Sequence, residues 1–177
     1  LVASARAAWV DVQGEGGESS PVPGPAFRDV TEESGMLSVH DASMTAACRL
    51  PEPFGPGIGL LDFDGDDRLD IFVTAGGALP PSRSGRNCQL WSRDTTGQYR
   101  EVAAEVGADI PGPAYGVACG DYDADGDEDL FVTRLGDDVL LRNDGGRFVD
   151  VTESAGIGGS TAFGCSAAFF DYDRDGD

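Results

Sequence analysis

The sequence predicts an all-β chain of four-stranded antiparallel β-propeller blades, an incomplete propeller of about two and a half blades. Three observations carry that prediction. Short β-branched and aromatic runs alternate with glycine- and proline-rich turns, in a chain of 177 residues with 26 Gly and 10 Pro. A block of several elements repeats, its first aspartates separated by 59 residues (Asp62 to Asp121) and then by 50 (Asp121 to Asp171). Within each block one short window is dense in aspartate, and 14 of the 23 Asp fall in windows 62–70, 121–129 and 171–177.

In chain order, LVASARAAWV (1–10) is apolar but too short to decide whether it is the remnant of a signal, and QGEGGESSPVPGP (13–25) has the composition of a flexible linker. Residues 1–25 are therefore set apart from a propeller portion over 26–177. Each repeat opens on a small or apolar run leading into Asp-aromatic-Asp: GIGLLDFD (57–64), GVACGDYD (116–123) and SAAFFDYD (166–173). After the aspartates come the strand-like LDIFVT (69–74) and DLFVT (129–133). Next, QLWSRDTTGQYREV (89–102) and VLLRNDGGRFVDV (139–151) each read as strand, tight turn, strand, with NDGG the stronger hairpin signal. A closing element recurs as FRDVTEESG (27–35), YREVAAEVG (99–107) and FVDVTESAG (148–156). Four strands per repeat select a propeller over a sandwich or barrel, each repeat being one blade. Closure takes at least about four blades, so the sequence reads as a piece of a longer protein. The alternative is a short chain whose open strand edges are covered by a partner.

The aspartate windows point to a hard cation. All 12 basic residues are Arg, against 32 acids, for a net charge of −20. That balance disfavours nucleic acid and anionic membranes as partners, and no apolar run approaches the ~18 residues of a membrane span. Numbered from Asp121, carboxylates stand at positions 1, 3, 5, 7 and 9 (Asp121, Asp123, Asp125, Asp127, Asp129), with Gly126 at position 6. Calcium takes about six to eight oxygens, which closely spaced Asp on a curling loop can supply. The expected ligands are side chains at 1, 3, 5 and 9, with the main-chain carbonyl at 7. The first window fits: Asp62, Asp64, Asp66 and Asp70 hold 1, 3, 5 and 9, and Arg68 at 7 is acceptable only as a carbonyl donor. Asp67 replaces glycine at position 6, where a left-handed backbone is expected, so this site should be slightly strained and weaker. The third window offers Asp171, Asp173, Asp175 and Asp177 and stops before position 9.

An EF-hand would need Glu at position 12, where Val73 and Val132 stand. Magnesium rarely takes an all-protein cage, and the windows lack the His and Cys that zinc prefers.

Together these features resemble the FG-GAP/VCBS repeat, the calcium-binding blade also found in integrin α-subunit propellers. FRDVTEESGM, His40 and LPEPFGPGIGLLDFDGDDRLDIFV look like the opening blade of the cartilage-acidic-protein-like (ASPIC/UnbV-associated) bacterial family, and residues 115–157 follow the same pattern. The resemblance covers about residues 26–177. It implies a secreted, periplasmic or surface propeller that binds calcium and acts as a non-enzymatic protein-binding or scaffolding module, with a protein or surface-glycan partner. Two other functions stay open: an accessory subunit of a larger surface assembly, or the scaffold of a secreted hydrolase or lyase whose catalytic residues lie elsewhere. No nucleophile–base pair is evident in the sequence.

Cys48, Cys88, Cys119 and Cys165 form no CxxC, and their even number in an exported chain favours disulfides, with Cys48–Cys88 and Cys119–Cys165 the expected pairs. His40 is the only histidine and reads as structural. GPGIG (55–59) precedes a strand instead of following one, so it is not a nucleotide loop. The loop ALPPSRSGRN (78–87) is a candidate partner contact, though an exposed inter-strand turn is the simpler reading. Trp9, Trp91 and the aromatics beside each window read as core.

Overall fold

The computed structural model describes residues 27–38, 52, 54–76 and 86–173. Over these, eight strands form two four-stranded antiparallel meanders. Blade one comprises β1 (Ile58–Leu61), β2 (Asp70–Val73), β3 (Gln89–Arg93) and β4 (Tyr99–Glu101), hydrogen-bonded in that order. Blade two repeats the arrangement with β5 (Ala114–Gly120), β6 (Asp129–Arg134), β7 (Val139–Asn143) and β8 (Phe148–Asp150). In both blades the first two strands are the arms around an aspartate loop, in matching register: Leu61 faces Asp70, and Gly120 faces Asp129.

Period-two alternation decides how the blades meet. On β1 the buried residues are Gly59 and Leu61, while Ile58 and Leu60 are exposed. Gly59 packs against β5, and a Cβ there would lie 2.7 Å from the Cys119 Sγ and 3.2 Å from a Val117 methyl. Only a residue without a side chain lets the strands approach this closely. One apolar core runs through both sheets, with Leu61, Phe63, Phe72 and Leu90 from blade one meeting Leu130, Val132, Leu141 and Phe148 from blade two.

A polar clamp also repeats. The buried Thr74 and Thr133, at the ends of the FVT runs, accept the Gly57 and Gly116 N–H through Oγ1 at 2.7 and 2.9 Å. It ties the entry of each blade's first strand to the exit of its second.

The closing element adds a helical turn to the all-β pattern. After β4 the chain makes a single helical turn, α2 (Ala103–Val106), and FRDVTEESG forms the equivalent α1 (Thr31–Ser34). Both end on a left-handed glycine, Gly35 or Gly107, which stops the helix after one turn. In the third repeat, residues 166–170 form no strand. The segment still covers blade two, where a Cβ on Gly120 would meet the Phe169 ring at 2.9 Å.

That placement corrects one expected disulfide. Cys119 shares a face of β5 with Val117 and looks toward blade one, whereas residues 165–169 lie over the opposite face, against Gly116 and Gly120. Cys119 and Cys165 are both free thiols; the buried Cys88 is free as well, so the expected Cys48–Cys88 pair is not borne out either. Burial pushes the Cys88 and Cys119 thiols up to about 11, the Glu128 carboxylate adding to the effect at Cys119. Cys48, Trp9, His40 and most of the 78–87 loop lie outside the described residues. Trp91 and Phe63 are core, but Tyr172 is 88% exposed.

Candidate metal centre

The first two aspartate loops share one internal hydrogen-bond network. At position 1, the Asp62 carboxylate accepts the Asp66 N–H at 3.0 Å and the Asp67 N–H at 2.7 Å. Asp121 does the same for Asp125 at 3.2 Å and Gly126 at 3.0 Å. Position 5 turns back on the loop as well: Asp66 accepts the Arg68 N–H at 3.0 Å, and Asp125 the Asp127 N–H at 2.9 Å. Short Asp side chains that capture backbone N–H groups two to five residues ahead are what curl the loop.

Position 9 anchors the loop to the sheet. Asp129 is fully buried, and its two oxygens accept the Tyr122 and Asn143 N–H groups, each at 2.7 Å. Asp70 accepts the Arg93 N–H at 2.7 Å and the Phe63 N–H at 3.4 Å. Each therefore joins position 2 of its loop to the end of the blade's third strand.

The backbone passes through the left-handed region twice in each loop. At position 6 the φ angles are +63° for Asp67 and +99° for Gly126, as the sequence predicts. At position 4 they are +71° for Gly65 and +59° for Ala124, a requirement the sequence reading missed. Each loop thus places one glycine and one non-glycine residue in this region.

The result is a convergence of carboxylates. Asp62, Asp64 and Asp70 bring ligand oxygens within 4.8 Å of one another, and so do Asp121, Asp123 and Asp129. Positions 1, 3 and 9 are thereby brought together. Position 5 stands outside both triads, and in the first loop Asp66 forms an ion pair with Arg68. The Asp127 side chain accepts the Gly145 N–H at 2.8 Å, so it serves the NDGG hairpin. Asp171 and Asp173 are exposed and belong to no such triad among the described residues, and Asp175 and Asp177 lie outside them.

Electrostatics mark the buried members. Burial pushes the Asp70 carboxyl up to about 6; the Arg93 N–H pulls the other way, and the Asp64 and Asp62 charges add to the rise. Asp129 is raised for the same leading reason, against the Tyr122 and Asn143 N–H groups. Buried carboxylates crowded by like charges are stabilised by a cation among them.

The family model for the FG-GAP-like repeat matches residues 62–132 and 121–177, each match beginning at the first aspartate of a loop. The chain belongs to the FG-GAP-like repeat family. Such repeats build β-propeller-like interaction modules, are typical of extracellular proteins and are typically non-catalytic. They often bind calcium. A search of curated proteins finds no match. Among the described residues no helix is long and apolar enough to cross a membrane.

Proposed function

We propose that these FG-GAP repeats form a calcium-stabilised, non-enzymatic propeller module that works outside the cytoplasm by binding a protein or surface-glycan partner. The observation that carries this reading is the oxygen triad, built twice from the same loop positions: Asp62, Asp64 and Asp70, then Asp121, Asp123 and Asp129. An all-carboxylate donor set suits a hard cation and gives zinc no nitrogen or sulfur. Asp66 and Asp125, with the main-chain carbonyls of Arg68 and Asp127, complete the proposed ligand sets; Asp171, Asp173, Asp175 and Asp177 are proposed as ligands of a third site. The ion would neutralise the crowded carboxylates and fix the turn between the first two strands of its blade. Affinities of about 10⁻⁴–10⁻³ M suffice for extracellular calcium-binding modules, which favours a secreted, periplasmic or surface location.

The closer likeness to the cartilage-acidic-protein-like family, carried by FRDVTEESGM and the loop-plus-hairpin pattern, is part of this reading. So is its use as a scaffolding unit, alone or within a larger surface assembly. Thermal unfolding tests the calcium role: added calcium should raise the Tm and excess EDTA should lower it, because a ligand held only by the folded state stabilises that state. A transition unmoved by either would defeat the proposal.

A further inference from the structure

The two loops are not independent. Asn143 is fully buried at the end of β7, where its backbone N–H donates to the loop-two carboxylate Asp129. Its side chain reaches across to blade one: Nδ2 donates to the Phe63 carbonyl at 2.8 Å and to the Glu128 carbonyl at 3.3 Å. Its Oδ1 accepts the Gly146 N–H at 2.9 Å, so both ends of the side-chain amide are used. Beside it, Glu128 at position 8 of the second loop accepts the Asp62 N–H through Oε2 at 2.8 Å. Positions 1 and 2 of the first loop are therefore held by blade two. The Phe63 ring reinforces this by stacking on Phe148, with centroids 6.3 Å apart.

Neither residue recurs in blade one. At the equivalent positions of blade one stand Arg93, whose side chain offers no acceptor, and Leu69, which has no polar side-chain group. The Asn143–Glu128 pair is thus a bridge between blades laid over the internal network that both loops share.

We propose that Asn143 and Glu128 are positioning residues for the calcium loop of the neighbouring blade, and that they couple the two loops so that filling the Asp121 loop tightens the Asp62 loop. This rests on the calcium reading above. An ion among Asp121, Asp123 and Asp129 fixes Asp129, hence Asn143 and the Glu128 backbone. These in turn fix the Phe63 carbonyl and the Asp62 N–H, the backbone from which Asp62 and Asp64 project. Coupling of this kind is reciprocal, so the first loop tightens the second by the same factor.

The test is calorimetric calcium titration of the full chain. Coupling is read in the unmutated chain, where each loop should bind more tightly than alone and equal affinities would overturn it. Positioning is read in Asp123→Ala for the Asp62 loop and in Asp64→Ala for the Asp121 loop. Asn143→Ala keeps the backbone donor to Asp129. It should weaken the Asp62 loop about tenfold, the lower end of what losing an outer-shell partner costs, and the Asp121 loop by much less. An unchanged Asp62 loop, or equal weakening of both, overturns the proposal. If circular dichroism shows that Asn143→Ala does not fold, Glu128→Ala, which removes the acceptor for the Asp62 N–H, carries the test with the same outcomes. Hydrogen exchange in EDTA separates this proposal from the calcium reading. Both substitutions should speed exchange at the Asp66 and Asp67 amides, which depend on Asp62. If the unmutated chain takes up no calcium, the calcium reading and the coupling both fail, while faster exchange would still establish the positioning role. Unchanged exchange overturns that role as well.

Discussion

Within one loop, position 9 and position 3 should separate into a structural and a metal-dependent part. Asp129→Ala removes an acceptor that takes two backbone N–H groups at 2.7 Å, those of Tyr122 and Asn143. A buried donor left unpaired costs about 1–3 kcal/mol, so two cost about 2–6 kcal/mol before relief. Two effects reduce the total: water can enter the truncated site, and removing a buried carboxylate recovers its desolvation cost, which is why its pKa is raised. A net loss of about 2 kcal/mol or more should remain in calcium-free buffer. Asp123 is exposed and accepts none of these backbone bonds, so Asp123→Ala should cost less than about 0.5 kcal/mol without calcium, as ordinary surface substitutions do. With calcium present, both variants should lose the stabilisation contributed by the second loop. Urea unfolding with and without EDTA measures all four values, read as a shift of midpoint at constant slope. The reasoning fails if Asp129→Ala is nearly neutral in EDTA, or if Asp123→Ala costs as much there.

Three further outcomes follow from the loop geometry. Asp70 titrates at about 6 in the folded chain, above its ordinary 3.8, so it favours the metal-free fold at acid pH, and this contribution is lost as pH rises through 6. Calcium must displace that proton, and its affinity at the first loop should fall about tenfold from pH 7 to pH 5, checked by titration at both values. Arg68→Ala frees Asp66 from its ion pair and should tighten calcium at the first loop several-fold, with the second loop unchanged in the same titration. Ala124 sits at φ +59°. Ala124→Gly should therefore stabilise the fold by about 0.5–1 kcal/mol in chemical unfolding, the left-handed penalty of about 1–2 kcal/mol exceeding the entropy cost of glycine.

What the sequence reveals here is local, and what it hides is contact at a distance. Alternating Asp between two short apolar runs announces both the loop and its flanking strands, although of the alternate positions only 1, 3 and 9 converge. Blade order follows from repetition, and the left-handed turn at Asp67 from the position-6 pattern. Asn143 is different: it reads as one letter of a hairpin signal, yet its side chain bonds the Phe63 carbonyl, 80 residues away. Thr74 and Thr133 were visible as the ends of two FVT runs, but nothing local tells a clamp from a strand terminus. The Cys119–Cys165 pairing failed where a signal did exist. Alternation along GVACG puts Cys119 with Val117, on the face turned away from the segment that carries Cys165. The position-4 requirement was masked because the loops solve it differently, with Gly65 in one and Ala124 in the other.

The central claim is that the paired triads hold calcium, and the most direct measurement is calcium stoichiometry by calorimetry on the unmutated chain, Asp64→Ala and Asp123→Ala. The account predicts that each substitution removes one bound ion and leaves the other loop's ion in place. Equal stoichiometry in all three proteins, or no uptake by the unmutated chain at millimolar calcium, would contradict it.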